Sequence, residues 1–276
     1  MRMPVNRFFK YLIVLLIPFL VVSPADARRK QRFLGVSARS AIFSNATQGK
    51  RYYGKNVHAR VPPASTAKVM TALLVLERLP LDKEVVISAR ATLPQPSKIY
   101  AKAGERYKVS ELLYALLLNS ANDASVALAE AVAGSEQEFT NLMNQRARQL
   151  GAQNTHFVNS NGLTSREAQY TSAYDMYLIF REALKYPFFD TVIKTKVKTI
   201  YSMEGRAISL RSHNSILFNG WDKKLYGKTG YTQRARACFV GYVSKGNDVC
   251  IVAVFGCSRR WSDIKFIVTK YGGISL

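Results

Sequence analysis

Strand-like sequence lies at both ends of this chain, and a helical region lies between them. Residues 38–44 and 51–57 have the composition of strands and flank the turn-rich segment 45–49. Four more strands are predicted in the last third of the chain, at 196–201, 207–212, 238–243 and 248–255. A chain that places strands on both sides of a helical middle is expected to form an α+β fold, with helices packed on one antiparallel sheet.

The largely helical middle region shows the periodicity expected of amphipathic helices. A helix is predicted over residues 66–79, where apolar side chains recur on one face and Pro80 follows. Further helices are predicted at 110–118, from Asp123 as a cap to Gly134, from the Ser135–Glu138 capping box to Gly151, from Ser172 with Asp175 to about Tyr186-Pro187, and at 261–270. No linker is visible, so residues 28–276 are expected to form one domain.

The first 27 residues have the pattern of a targeting segment. A positive head with Arg2, Arg7 and Lys10 precedes the apolar stretch 11–22, and Ala25-Asp26-Ala27 fits a small-x-small cleavage site. This order predicts a secretory signal peptide at residues 1–27 and an extracytoplasmic mature chain. An uncleaved membrane anchor and a folded N-terminal helix are the alternatives.

The formal net charge is +22 at pH 7, although only 21% of the residues are charged. Such a surface suits polyanions, which include anionic lipid headgroups, acidic wall polymers and nucleic acid. Nucleic acid is disfavoured by the predicted export and by the lack of a recognisable reading motif. The alternative is a basic, soluble surface without a dedicated partner.

The three cysteines, Cys238, Cys250 and Cys257, lie in apolar strand-like sequence. An odd number of clustered cysteines does not suggest a disulfide framework, and no Cys-x-x-Cys spacing supports a structural zinc site. Buried free thiols are therefore expected, and one disulfide is the alternative.

Ser65-Thr66-Ala67-Lys68 is the first of three short motifs that could carry chemistry. Residues three apart share a face of a helix, so the Ser65 hydroxyl is expected beside the Lys68 amine. A serine hydroxyl needs a neighbouring base to act as a nucleophile. Lysine can be that base only when it is neutral, so its pKa must fall well below ~10.4 through burial, a second cation or a helix N-terminus.

Ser120-Ala121-Asn122 and Lys228-Thr229-Gly230 are the second and third motifs. In the second motif, which lies between two predicted helices, Ser120 could relay a proton and the Asn122 amide could orient substrate or lysine. The third motif lies on a predicted strand, whose edge could bind an extended peptide. There Lys228 and Thr229 could hold a terminal carboxylate, and Gly230 leaves room for a close approach.

Each motif alone is a weak signal, because its residues also fit a helix cap, a loop cap or a solvated strand lysine. Ser262-Asp263-Ile264-Lys265 repeats the first pattern, and Ser212-His213-Asn214 repeats the second. Only the motifs that begin at Ser65, Ser120 and Lys228 occur in order, each on the expected kind of element. That ordered set is the signature of penicillin-binding proteins and serine β-lactamases.

The chain resembles the low-molecular-mass penicillin-binding proteins that are D-Ala-D-Ala carboxypeptidases, peptidase family S11. The similarity extends from about residue 38 to residue 256 and includes the segments 62–72, 118–125, 155–163 and 227–232. It implies a β-lactamase/DD-peptidase-like fold and a periplasmic or otherwise extracytoplasmic hydrolase of peptidoglycan stem peptides. It also implies covalent inhibition by β-lactams and no need for a metal or an organic cofactor.

The resemblance also implies a role for each motif residue. Ser65 would be the acyl-enzyme nucleophile, Lys68 its proton acceptor and Ser120 a proton relay with Asn122 beside it. Lys228 and Thr229 would engage the substrate carboxylate next to Gly230, and the N–H groups of Ser65 and Tyr231 would form the oxyanion hole.

Two features depart from the family's pattern. His213 stands where some members carry an arginine that supports carboxylate binding, and a neutral or half-charged imidazole is a weaker clamp than a guanidinium. Many relatives continue into a second β-rich domain and a C-terminal amphipathic membrane helix, and neither is expected here. His58, His156 and His213 do not suggest a Ser-His-Asp arrangement, and His156 is interpreted as structural.

The main hypothesis is a DD-carboxypeptidase that removes the terminal D-alanine of stem peptides. A DD-endopeptidase would cut cross-links with the same residues. A β-lactamase that deacylates through a loop glutamate needs a Glu-x-x-x-Asn pattern, which the surroundings of Glu167 do not match. A non-catalytic wall-binding protein would have no need of the intact Ser65 and Lys68.

Overall fold

A five-stranded antiparallel sheet forms the frame of the protein. The computed structural model describes residues 1, 35–222 and 224–276, and the elements below lie in the unit Val36–Leu276. The strands are β1 Ser40–Asn45, β2 Lys50–Lys55, β3 Glu84–Val86, β4 Arg106–Lys108, β5 Val197–Tyr201, β6 Ala207–Arg211, β7 Tyr226–Thr232, β8 Arg236–Lys245 and β9 Asp248–Cys257. The large sheet has the order β2-β1-β9-β8-β7, which confirms the predicted α+β class.

Seven helices pack on or beside this sheet in the described part of the chain. They are α1 Lys68–Arg78, α2 Val109–Leu117, α3 Asn122–Ala133, α4 Glu136–Gln149, α5 Ala173–Ala183, α6 Pro187–Lys194 and α7 Arg260–Gly272. Short 3₁₀ turns occur at Ala64–Ala67, Arg90–Thr92 and Ser215–Leu217. No helix in residues 35–222 and 224–276 combines the length and the apolar character that a membrane crossing requires. The predicted signal peptide lies outside the described residues, except for Met1.

The large sheet separates two hydrophobic cores, because successive side chains of a strand point to opposite faces. On β9, Ile251, Ala253 and Phe255 belong to the core that the sheet shares with α1 to α6. Their neighbours Cys250, Val252 and Val254 belong to the core that it shares with α7. Since both faces of β9 are covered, its sequence is a nearly continuous apolar run instead of an alternating one.

Helix α1 lies in the middle of the helical region. Every residue from Lys68 to Val75 is buried, and α2 to α5 pack around the helix. Burial of a single leucine or valine side chain contributes about 1.5–3 kcal/mol, so the helix is held firmly in place. The residues at its N-terminus therefore stand on a rigid support.

Local sequence signals set several helix boundaries as predicted. The Ser135 hydroxyl accepts a hydrogen bond from the Glu138 N–H at the start of α4, and Ser172 does the same for Asp175 at the start of α5, both at 3.1 Å. Gly134 ends α3 with φ +77, in the left-handed conformation that glycine adopts most easily.

Other predictions about elements are wrong or incomplete. Asp123 does not cap α3; Ala121 occupies the cap position, and the Asp123 carboxylate binds a neighbouring loop. Helix α6 is missing from the prediction, because Pro187 fits the end of the preceding helix, whereas here it occupies the first turn of a new one. The strands predicted at 196–201 and 207–212 pair with each other as β5 and β6, outside the large sheet.

Candidate active site

The three motifs meet where the N-terminus of α1, the loop before α3 and strand β7 come together. Lys68 Nζ lies 3.2 Å from Ser65 Oγ and 2.7 Å from Asn122 Oδ1. Lys228 Nζ lies 3.0 Å from Ser120 Oγ. The two competing motifs do not join this cluster, since Ser262 and Lys265 are exposed on α7 and Asn214 binds Leu225 O.

Ser65 lies in the 3₁₀ turn that leads directly into α1. Its side chain is partly exposed, whereas Lys68 below it has no exposed surface. The preceding residue, Ala64, has φ +48, a conformation that costs a non-glycine residue free energy and persists only where the surroundings enforce it. The turn thus presents the hydroxyl to solvent and keeps the amine out of it.

The Lys68 amine has three hydrogen-bonding neighbours, and one of them is Ser65. Lys68 Nζ donates to Asn122 Oδ1 and to the carbonyl oxygen of Asn161, both at 2.7 Å. A neutral amine has two N–H donors and one lone pair. With both donors used, the lone pair points to the remaining neighbour, Ser65 Oγ, and can accept its proton.

The surroundings of Lys68 favour that neutral form. Its pKa is lowered well below the usual value, first by complete burial and then by the positive charge of Lys228. Asp123 and Glu136 act in the opposite direction and are the smaller influences. A lowered pKa is the direction that a neutral base at this position requires.

The loop before α3 holds the amide of Asn122 in one orientation. Asn122 Nδ2 donates to the carbonyl oxygen of Gln95 at 2.6 Å, and its backbone N–H donates to Ser97 O at 2.8 Å. The amide oxygen is thereby directed to Lys68. These contacts fit one of the two roles that the sequence suggests for Asn122, the orientation of the lysine, and both ends of its amide bind protein groups.

Asp123 anchors the loop that supplies these carbonyl groups, and sequence reasoning misses this role. Its buried carboxylate accepts hydrogen bonds from the N–H groups of Ile99 and Ala101 at 3.1 to 3.2 Å. A buried carboxylate between two predicted helices also fits a helix cap, so the sequence alone does not distinguish the two roles. The anchored loop lies against the first turn of α3.

Ser120 is held in a strained conformation beside Lys228. Its φ is +57, in the left-handed region that serine rarely adopts, and its side chain is only 5% exposed. Strain of this kind is concentrated at functional sites. It directs the Ser120 hydroxyl to Lys228 Nζ at 3.0 Å, where a proton could pass between the two groups.

Lys228 is itself a perturbed amine. Complete burial lowers its pKa to about 7, and the neighbouring charge of Arg260 adds to the effect. Lys228 Nζ also donates to Thr229 O at 3.0 Å. At neutral pH this group can thus exist both as a cation and as a neutral amine.

Strand β7 presents an edge at which an extended peptide could bind. It is the last strand of the large sheet and pairs only with β8 in the described part of the chain. A Cβ atom on Gly230 would lie 3.1 Å from Ser65 N, so the strand approaches the nucleophile turn closely. Thr229 is nearly buried next to Lys228, while the Tyr231 side chain is 63% exposed.

The segment around Asn161 and Gly162 closes the site from the side of Lys68. Asn159 Oδ1 accepts from the Gly162 N–H at 2.7 Å, and Gly162 has φ +83. A Cβ atom on Gly162 would lie 1.8 Å from the Ala64 carbonyl oxygen, so only glycine fits. The run of turn-forming residues at 159–162 indicates a tight turn in the sequence, but its contact with Ala64 is tertiary.

The His213 ring lies close enough to Lys228 and Lys68 to be affected by their charges. Its pKa is lowered by desolvation of the ring and by the positive charges of Lys228 and Lys68, so the ring is neutral at pH 7. Arg260, at the start of α7, supplies a permanent positive charge instead. Its Nη1 donates to Cys238 O at 2.9 Å and to Gly230 O at 3.3 Å.

Glu167 and His156 form a pair with each other. His156 Nε2 lies 3.1 Å from Glu167 Oε1, and the Glu167 side chain is 69% exposed. The structural role of His156 stays a prediction. In the described residues no group of three or more His, Cys, Asp and Glu side chains could hold a metal ion.

Comparisons with known proteins agree with this geometry. The sequence pattern of peptidase family S11, described as D-alanyl-D-alanine carboxypeptidase, matches residues 26–259. The chain is 38% identical over 240 residues to D-alanyl-D-alanine carboxypeptidase DacF of Bacillus subtilis, and the match covers 84% of this chain and 60% of that protein. It therefore spans less than two thirds of that relative's length.

Two further matches have similar coverage of this chain. D-alanyl-D-alanine carboxypeptidase DacB2 of Mycobacterium tuberculosis is 32% identical over 218 residues, which are 79% of this chain and 74% of that protein. The crystal structure of the Streptomyces K15 DD-transpeptidase is 28% identical with a TM-score of 0.80, covering 87% of this chain and 98% of that one.

Proposed function

The chain belongs to peptidase family S11, the D-alanyl-D-alanine carboxypeptidases, and from that premise we propose that it removes the terminal D-alanine of peptidoglycan stem peptides through an acyl-enzyme on Ser65. The observation that carries the proposal is the buried amine of Lys68, with two hydrogen bonds used by Asn122 and Asn161 and its third position facing Ser65. A purely wall-binding protein has no use for such an activated hydroxyl.

The first step is attack of Ser65 on the carbonyl carbon of the penultimate residue. The Ser65 proton passes to neutral Lys68, and the Oγ–C bond forms as the carbonyl becomes an oxyanion. The N–H groups of Ser65 and Tyr231 are the proposed donors to this oxyanion. One such donor is worth roughly 10²–10³ in rate, so the position of β7 against the Ser65 turn matters for catalysis.

The second step expels D-alanine. As the C–N bond breaks, the leaving amine takes the proton of the Ser120 hydroxyl, which lies next to Lys228. The proton that Lys68 received from Ser65 then restores the Ser120 hydroxyl, so that Lys68 is neutral again. Well-placed acid–base groups contribute roughly 10²–10⁴ in rate. Water then attacks the carbonyl carbon of the Ser65 ester and gives up a proton to neutral Lys68. The Oγ–C bond breaks, Lys68 returns the proton to Ser65 Oγ, and the shortened peptide leaves.

The polar groups of β7 suggest the orientation of the substrate. Lys228 and Thr229 bind the terminal carboxylate, and Arg260 adds positive charge on the same side. Beyond Tyr231, the acyl part of the peptide continues toward Thr232 and Arg234, which line a cleft together with Gly162 and other residues of that loop. A free carboxylate beside the scissile bond is the feature that a stem pentapeptide presents.

Covalent labelling tests the nucleophile and its base. A fluorescent penicillin is expected to form one adduct by intact mass, and Ser65→Ala should abolish it. Lys68→Arg should also lose acylation, because a guanidinium stays protonated, while circular dichroism shows that the fold is retained. An adduct that survives Ser65→Ala, or normal acylation in Lys68→Arg, would refute these assignments.

Product analysis tests the reaction itself. Purified pentapeptide muropeptides should release D-alanine faster than cross-linked dimers are cleaved, because the dimer brings more bulk to the same carboxylate pocket. Both substrates can be incubated with the enzyme and followed by chromatography. Faster loss of dimers would assign endopeptidase activity with the same catalytic residues.

We further propose that the chain acts outside the cytoplasm, where peptidoglycan lies. The charged head, apolar stretch and Ala25-Asp26-Ala27 support this location. N-terminal sequencing of the protein from a bacterial envelope fraction should begin at Arg28. Recovery of an intact Met1 in a membrane fraction would indicate an uncleaved anchor instead.

A further inference from the structure

The outer side of helix α7 carries an exposed band of lysine and aromatic side chains. Lysines 265 and 270 flank Phe266 along the helix, and the Phe266 ring lies 5.1 Å from Lys270 Nζ. The opposite side of the same helix is buried in the second core. We call the exposed surface the α7 face, which consists of Ser262, Lys265, Phe266, Thr269, Lys270 and Tyr271.

Two clusters of aromatic rings extend the α7 face at either side. Trp221 lies 5.4 Å from Lys265 Nζ, and its ring centroid lies 6.5 Å from that of Trp261. At the other side Tyr271 contacts Tyr53 of strand β2, with ring centroids 4.7 Å apart. Rings and cations therefore alternate from the segment before β7, across α7, to the edge of the sheet.

Lys50 at the start of β2 and Lys245 at the end of β8 add more positive charge beside these rings. Lys245 and Lys50 lie 5.5 Å and 5.9 Å from the centroid of Tyr52. In the described part of the chain, none of Lys50, Lys245, Lys265 and Lys270 forms an ion pair. Their charge is therefore available to an external partner.

Three carboxylates near this surface are hydrogen-bonded to other groups. Asp222, next to Trp221, accepts from the Ser275 hydroxyl at 3.5 Å. Asp263 is buried and accepts hydrogen bonds from the N–H and the hydroxyl of Ser37. Asp248 accepts from the side-chain amides of Asn45 and Gln48. In the described part of the chain, none of the three forms an ion pair with Lys265 or Lys270, so these lysines keep their positive charge.

We propose that the α7 face binds the headgroup region of an anionic phospholipid bilayer. Lysine side chains can reach the phosphate groups, while Phe266 and the tyrosine and tryptophan rings enter the boundary between headgroups and acyl chains. An acidic wall polymer would require the positive charges alone. The 38% exposed Phe266 and 39% exposed Tyr271, set between lysines, favour the bilayer.

Docking through this face leaves the candidate active site accessible. The large sheet lies between α7 and the helices α1 to α6, since the two sets of helices pack on different cores. Ser65 lies on the side of α1. The bound enzyme could therefore process peptide chains that approach from outside the membrane surface, and membrane binding does not depend on the catalytic residues.

The two tryptophans of the chain provide a direct test of which face contacts the lipid. Trp221 and Trp261 both border the α7 face, and the sequence has no other tryptophan. The full chain is mixed with vesicles of phosphatidylglycerol and phosphatidylcholine that carry bromine on the acyl chains. Quenching of tryptophan fluorescence is expected with phosphatidylglycerol, and it should weaken as salt is added.

Matched variants separate the α7 face from net charge and from the N-terminal segment. Each lysine near an anionic surface contributes about fivefold to partitioning, so Lys265→Gln with Lys270→Gln should weaken it about 25-fold. The control pair, Lys83→Gln with Lys196→Gln, removes two exposed lysines just before β3 and β5. It should change partitioning by less than about twofold. Phe266→Ser should reduce both partitioning and quenching.

Several results would overturn the proposal. An equal loss in the control pair would show that net charge alone drives the binding. Vesicle binding without tryptophan quenching would place the contact elsewhere, as would equal binding to pure phosphatidylcholine. Binding to soluble poly(glycerol phosphate) that needs Lys265 and Lys270 but not Phe266, without vesicle binding, would assign the surface to a wall polymer. Unchanged melting temperatures and penicillin labelling confirm that the variants are folded.

Discussion

Two buried lysines determine the chemistry of this site at the scale of single residues. Lys68 and Lys228 are both nearly inaccessible to solvent, and the charge of Lys228 lowers the pKa of Lys68. Lys228 thus affects the base without touching it, in addition to binding Ser120. Each lysine affects the site beyond its own hydrogen bonds, because the positive charge of one makes protonation of the other less favourable.

The rate of acylation by penicillin should have a bell-shaped dependence on pH. The second-order rate constant rises as pH increases through the lowered pKa of Lys68, since only the neutral amine accepts the Ser65 proton. It falls as pH increases through the pKa of Lys228, about 7, since a neutral amine no longer attracts the carboxylate. The profile can be measured with a fluorescent penicillin at constant ionic strength.

Lys228→Gln separates the two limbs of that profile. Without the charge of Lys228, the pKa of Lys68 increases, so the rising limb should move to higher pH while the falling limb disappears. The overall rate also falls because the carboxylate loses a partner. A rising limb at its original pH would show that the two lysines are not electrostatically coupled.

The cysteines should behave as buried thiols. Cys238, Cys250 and Cys257 are all buried, and burial raises the pKa of Cys238 to about 11. Ellman's reagent should therefore find almost no reactive thiol in the native chain and three thiols after unfolding in guanidinium chloride without reductant. A single thiol after unfolding would reveal a disulfide, the alternative that the sequence left open.

At the scale of elements, the sequence predicts what local contacts determine. The hydroxyl caps at Ser135 and Ser172 involve partners three residues away, and both are found where predicted. Strands β3 and β4, of three residues each, are too short to produce an alternating pattern and are missed. The five-stranded order and the separate pairing of β5 with β6 depend on distant contacts that no local pattern encodes.

In the candidate site, too, the sequence predicts the features that depend on local spacing and misses those that depend on contacts between distant residues. The pair Ser65 and Lys68 follows from helical spacing, and the ordered motifs predict which further residues join it. The contribution of the Asn161 carbonyl is invisible in sequence, because every residue has a carbonyl and only the fold selects one. Arg260 is also missed, since it lies 30 residues after Gly230, whose carbonyl it binds. Nothing in the sequence indicates that Arg260 contacts a residue so far away along the chain.

Gly162→Ala should damage the turn that carries the nucleophile. A positive φ alone costs a non-glycine residue about 1–2 kcal/mol, and the contact of 1.8 Å with the Ala64 carbonyl adds a steric clash. We expect a loss of stability of at least about 3 kcal/mol and slower penicillin acylation, because Ala64 must move and Ser65 moves with it. Urea unfolding and the acylation rate measure the two effects.

Gly205→Ala is the matched control for this substitution. Gly205 has φ +86, close to that of Gly162, but an added Cβ would meet nothing within 4 Å. It should lose only about 1–2 kcal/mol and keep its acylation rate. If both variants acylate equally fast, close packing of Gly162 against Ala64 does not position the nucleophile.

On the scale of the whole molecule, the two cores depend on each other because they share strands. Neighbouring residues of β1, Ile42 and Phe43, belong to different cores, and so do Ile251 and Val252 of β9. Loss of either core would expose one apolar face of the large sheet to water. The cost of that exposure should couple α7 to the helices on the opposite side.

Residues 36–276 should therefore unfold in a single cooperative transition, even when only one core is weakened. Ile267→Ala removes a buried side chain of α7 and should cost about 2–5 kcal/mol, as should Leu116→Ala in α2 on the other side. Tryptophan fluorescence reports the α7 side, where Trp221 and Trp261 pack, and far-UV circular dichroism reports mainly α1 to α6. In urea both signals should shift together to the same lower midpoint in each variant. If fluorescence changed before circular dichroism in Ile267→Ala alone, α7 and its core would be an independent unit, and the shared strands would not transmit stability across the sheet.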